Sequence, residues 1–177
     1  MKNIDKLNIF NYTHNQYPEK VNGKTLLPED IDDVLNIGKK ESIKRGKFHC
    51  NLLSFYNALQ SDDIIHYTYP EFFGWMLNNK WSNEYGFISA EKNKILMNVG
   101  EGYHEVRHTT LPEPIGTKIY QMLIENDYGT HFLGAYHTGG IWYISDTNDR
   151  GTGVTLDSLK KGDKIVWVKE FVKGASA

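Results

Sequence analysis

The sequence predicts an α+β fold, and three observations carry that expectation. Apolar residues in the first half recur at helical spacing, and the second half breaks into short β-rich runs separated by turn residues. The composition is that of one globular domain: 177 residues, 40% hydrophobic and 24% charged. Cys50 is the single cysteine, which excludes an intrachain disulfide framework. Twenty Lys and Arg stand against 22 Asp and Glu, a net charge of −2, without the basic excess that phosphate neutralisation requires. Nucleic acid is therefore not an expected partner. No apolar run is long enough to span a bilayer, and the polar start of the chain lacks the apolar segment of a signal peptide. The chain is expected to be cytoplasmic at synthesis, with leaderless secretion into a host or target cell as the export route compatible with it.

The whole chain, 1–177, reads as one domain, with the Asn- and Tyr-rich residues 1–27 as an N-terminal extension. Pro28-Glu29-Asp30 signals a helix start, Ile31, Val34 and Leu35 share one side of that helix, and Gly38 is the expected stop. The basic run from Lys39 to Lys47 reads as a flexible connector. Cys50 then heads the strongest helical pattern, in which Leu52, Phe55, Tyr56 and Leu59 fall at i, i+3, i+4 and i+7. Pro70-Glu71 opens a further aromatic helix over 72–80, and the order of elements across 82–116 is not resolved by pattern. From Lys118 the chain reads as an antiparallel meander: KIYQMLIE, a turn at Asn126-Asp127-Tyr128-Gly129, THFLGAYH, a turn at Thr138-Gly139-Gly140, IWYISD, a helical turn over 156–161 and KIVWVKEFV.

The combination with chemical content is Cys50 at a helix start with His131 and Asp146 on adjoining strands. A thiol attacks as the thiolate, which a helix N-terminus favours, and it needs a base and a group that orients that base. His131 and Asp146 fit those two roles. A Thr138-Gly139 loop sets His131 directly opposite Asp146, within reach of an imidazole nitrogen. A Gly139-Gly140 loop sets Asp146 opposite Leu133 and keeps it on the face of His131, whereas an odd loop separates the pair. The plain alternatives are a packed cysteine, a strand histidine satisfied by a carbonyl and an aspartate that opens a turn. His104 and His108, with His49, lack the acid and helical context of a zinc motif, and Arg150 takes a ligand position in the calcium-loop echo that starts at Asp146. No metal or cofactor is expected. Phe72, Phe73, Trp75 and Trp81 read as core, with Trp also suited to a substrate groove.

Taken together, FHCNLLSFYNALQ, then THFLGAYH about eighty residues on, a glycine turn and IWYISD resemble the papain-like cysteine peptidase superfamily. More narrowly, THFLGAYHTGGIWYISDTNDRGTGVTL resembles the papain-fold effector and toxin proteases of bacterial pathogens, a group that includes glutamine deamidases acting on host proteins. The resemblance covers about residues 45–160. It implies a papain-like domain, an N-terminal helical lobe packed on a C-terminal antiparallel β-sheet. It also implies a thiol protease or deamidase of protein amides, and hence a virulence function. Cys50 would be the nucleophile, His131 the general base and Asp146 the orienting residue, acting through a thioester on a protein or peptide substrate. A host target and an immunity or inhibitor protein are the implied partners. Lys44 stands where papain has its oxyanion glutamine, so Asn51 and His49 are the auxiliary candidates beside the Cys50 N–H. A noncatalytic interaction module with Cys50 buried is the reading from a different class.

Overall fold

The computed structural model describes residues 26–61, 67–89, 92–97, 103–114, 118–146, 151–159 and 161–174. Most of the expected N-terminal extension, and the turn that follows Asp146, lie outside them. The described chain is α+β: five α-helices precede a six-stranded antiparallel sheet.

Helix α1, Pro28–Leu35, starts at its proline and ends at Asn36, whose left-handed φ of 53° closes it two residues before the expected Gly38. The Asp32 carboxylate accepts the N–H groups of Ile37 and Gly38 at 2.9 and 2.7 Å and so fixes the exit. The basic run expected to be flexible is instead helix α2, Lys39–Gly46. Glu41 pairs with Lys44 and Arg45 at i+3 and i+4, and Ser42 is buried, so a packed face overrides the loop-like composition. Helix α3, Cys50–Ser61, is buried throughout 51–59, more fully than its one-sided pattern indicates. Helix α4, Tyr69–Asn78, is opened by a capping box in which Thr68 and Glu71 exchange side-chain and backbone hydrogen bonds. A short helix α5, Lys92–Met97, follows.

The strands are β1 Tyr103–His108, β2 Ile119–Asn126, β3 Gly129–Thr138, β4 Ile141–Asp146, β5 Gly151–Thr155 and β6 Lys164–Lys173. Their spatial order is β1-β6-β2-β3-β4-β5. The expected meander therefore holds for β2 to β4, β5 adds an unexpected strand beside β4, and β6 inserts between β1 and β2. A 3₁₀ turn, Leu156–Ser158, replaces the longer helical turn expected there.

The sheet is covered on both faces. Gln121, on one face of β2, bonds to α3, and Phe171 of β6 on that same face packs edge-on against Phe55 with ring centroids 5.2 Å apart. The opposite face carries Tyr120, Met122, Ile124, Leu133, Ala135 and Ile144, closed over by Leu111, Leu156 and Leu159. Helices on one side and loops on the other leave two distinct apolar layers. Among the described residues, no helix is long and apolar enough to cross a membrane.

Candidate active site

Cys50 is the first residue of α3. The carbonyl of His49 accepts the N–H of Leu53 at 2.9 Å, which makes His49 the cap and Cys50 the first helical position. Cys50 is partly exposed and carries no disulfide. Cys50 thus stands in the first helical turn, whose backbone N–H groups have no partner within the helix.

His49 points away from that role. Its ring is fully buried, with Nδ1 2.7 Å from the Tyr69 hydroxyl and Nε2 3.0 Å from the Glu84 carbonyl oxygen. A carbonyl only accepts, so Nε2 carries the proton, and the Tyr69 O–H donates to Nδ1. Burial pushes the imidazole down to about 4, against the opposing pull of the Glu84 carbonyl. His49 is a neutral structural pin with both nitrogens committed, which removes it as an oxyanion donor.

Asn51 lies in a buried polar cluster between α3 and the sheet. Gln121 Nε2 donates to Ser54 Oγ at 2.9 Å, to the Asn51 carbonyl at 3.1 Å and to Asn51 Oδ1 at 3.3 Å, while Ser54 Oγ donates to the Asn51 carbonyl at 3.1 Å. The sequence offers one sign of Gln121, a lone amide inside the apolar strand IYQMLI. Gln121 clamps the first turn of the helix that Cys50 heads.

His131 pairs with Ile124, and the uninterrupted β2–β3 register places both on the face of Met122 and Leu133. Gln121 and helix α3 occupy the other face. The hairpin explains part of this arrangement. Thr138 pairs with Ile141 across Gly139 and Gly140, whose φ values are 57° and 79°, so the turn is of the primed type and the Thr138-Gly139 loop does not form. The pairing of Gly134 with Ser145 continues to set Asp146 across from Leu133, not from His131. The backbone of Asp146 pairs on its other side with Gly151.

The remaining histidines are placed in the sheet. His104 and His108 lie on β1, where His108 Nε2 meets the Glu170 carboxylate at 2.8 Å. Among the described residues, no group of His, Cys, Asp and Glu is arranged to hold a metal ion. Phe72 and Phe73 are core, and Trp75 meets Trp81 edge-on at 4.9 Å while both keep some exposure.

No protein-family profile, characterised protein or solved structure matches the chain. Its chemistry follows from its own residues: a partly exposed thiol at a helix start, a locked neutral imidazole beside it, and a second imidazole across the sheet.

Proposed function

We propose that the protein is a papain-like cysteine hydrolase of protein amides, a thiol protease in which Cys50 is the nucleophile, His131 the general base and Asp146 the orienting residue. The observation that carries the reading is the placement of Cys50 as the first residue of a helix laid on an antiparallel sheet. The thiolate attacks the carbonyl carbon, the amine leaves with a proton from the imidazolium, and water resolves the thioester. The base must reach the helix side of the sheet. Deamidation of glutamine on a host protein uses the same steps. Delivery as a bacterial effector or toxin, with a host target or an immunity protein as partner, belongs to the same proposal.

The register that sets His131 on the face of Met122 and Leu133, away from Gln121 and helix α3, favours a second reading, a noncatalytic interaction module. The pH dependence of iodoacetamide alkylation at Cys50, in wild type and His131→Ala, separates the two. Fast alkylation near pH 6 that disappears in the variant supports the hydrolase. Slow alkylation that follows an ordinary thiol of pKa about 8.5 in both proteins overturns it. Intact-mass measurement of treated proteins then separates fragments, the product of proteolysis, from whole chains about 1 Da heavier per site, the product of deamidation.

A further inference from the structure

A groove of about 630 Å³ runs between α1 and α4. It is lined by Tyr67 and Trp75, whose ring centroids stand 6.2 Å apart, and by Gly74 in the middle of α4. Tyr67 is 41% exposed and Trp75 partly exposed, so both offer ring surface to a ligand. Glycine is a poor helix former, and packing does not call for one here. Among the described residues, a Cβ at Gly74 would meet only Val34 Cγ1, at an ordinary 3.9 Å. The missing side chain instead leaves room for a ligand to approach the helix backbone.

The charge of the groove is one-sided. Helices α1 and α4 hold five acids, Glu29, Asp30, Asp32, Asp33 and Glu71, and neither Lys nor Arg. Asp30 and Asp32 serve the ends of α1, where they accept the N–H of Leu27 and those of Ile37 and Gly38. Asp33 and Glu71 are exposed and line the groove, and no basic residue lines it with them. Among the described residues neither carboxylate is held in an ion pair, and both bonds that Glu71 accepts from Thr68 use Oε1. Of the cations on neighbouring α2, Arg45 is engaged by Glu41 and Glu84, and Lys39 lines a different cavity beside Glu29.

We propose that this groove binds an arginine side chain of a peptide segment, with the guanidinium against the Tyr67 and Trp75 rings and paired with the carboxylates of Asp33 and Glu71. Ring faces attract a cation, and the two carboxylates give the attraction its sign. Arginine suits the site better than lysine because its planar, weakly hydrated guanidinium both stacks on aromatic rings and forks onto carboxylates. The volume exceeds that of one side chain, which leaves space for the flanking residues of the peptide. The site is built without Cys50, so it stands whether or not the thiol is a nucleophile.

The test titrates nitrogen-labelled protein at low salt with the peptide Ac-Gly-Arg-Gly-Arg-Gly-amide and with its lysine, trimethyl-lysine and glutamate counterparts, read by NMR. Saturable shifts centred on the amides of Gly74 and Trp75 and on the Trp75 indole are expected, with the arginine peptide bound about three- to fivefold more tightly than the lysine one. The double variant Asp33→Asn, Glu71→Gln, in which glutamine keeps the capping box, should bind about five- to tenfold more weakly at an unchanged Tm. Gly74→Met should abolish the Trp75 response while the Tm holds or rises, since methionine is the better helix former. Shifts spread over all of α1 and equal for arginine and lysine would reduce the groove to a diffuse acidic surface and overturn the proposal. Tighter binding of the trimethyl-lysine peptide would assign the groove to a methylammonium group, and the same shifts on concentrating the protein alone would assign it to a second copy. Either result overturns the arginine assignment, as does an equal response to the glutamate peptide or none to any peptide.

Discussion

Gly86 sits against His49 so closely that a Cβ on it would lie 3.0 Å from both the Cα and the Cγ of the histidine, at a φ of +74°. This contact joins the loop after α4 to the residue that caps the Cys50 helix. Gly86→Ala therefore meets two penalties, the left-handed backbone and overpacking against a ring fixed by Tyr69 and Glu84. Together they amount to about 2–4 kcal/mol. The expected outcome is a lower urea midpoint with an unchanged slope. A loss below about 0.5 kcal/mol would show that the loop is not clamped.

Stability should depend on pH through His49. The unfolded imidazole takes up its proton near 6.5, the folded one at about 4. Between those values the unfolded state binds more protons, so stability rises with pH there. It is fully present above pH 6.5 and is lost as the pH falls through about 4, a change on the order of 3 kcal/mol. Nitrogen chemical shifts should report a neutral Nε2–H tautomer at pH 5.5. An imidazolium signal from His49 at that pH would contradict the assignment.

Much of the fold is legible because local chemistry announces it. Proline at the first position of α1, the Thr68–Glu71 capping box and the glycines after β3 each act within a few residues. Helix α2 escapes notice because its stabilising features, a buried Ser42 and the ion pairs of Glu41, are tertiary or depend on the helix already existing. Strand β5 escapes because GTGVT is rich in turn residues and gains its order from pairing with β4. The face of His131 is hidden for a different reason. Along β3 both alternating sets are buried, with Leu133 and Ala135 on one side and Gly134 and Tyr136 on the other. A strand covered on both sides carries no pattern that says which side receives the helix.

The β3–β4 turn offers a direct check of the register that sets Asp146 across from Leu133. Gly139 and Gly140 both hold positive φ, 57° and 79°, as a two-residue primed turn requires. Gly139→Asn should be neutral within about 0.5 kcal/mol, because asparagine tolerates that conformation. Gly139→Val should cost about 1–2 kcal/mol, since a β-branched residue does not. Equal effects of the two substitutions would argue for a loop in another frame.

Gln121 is the group whose removal should most directly loosen the seat of the Cys50 helix. Its amide is buried and donates to Ser54 Oγ and to the carbonyl of Asn51, so Gln121→Leu removes both bonds and leaves Ser54 Oγ without that donor, while the Asn51 carbonyl still accepts from Ser54. The expected cost is about 1–3 kcal/mol, the range for stranding a buried polar partner. Ser54→Ala alone removes the shortest of the three bonds that the Gln121 amide donates. With both changes together neither group is left half-bonded at that contact, so the double variant should be less destabilised than the sum of the singles by about 0.5–1.5 kcal/mol. Strict additivity in urea unfolding would mean that the amide and the hydroxyl are not coupled, and that the first turn of the helix is held by packing around Phe55 and Phe171 alone.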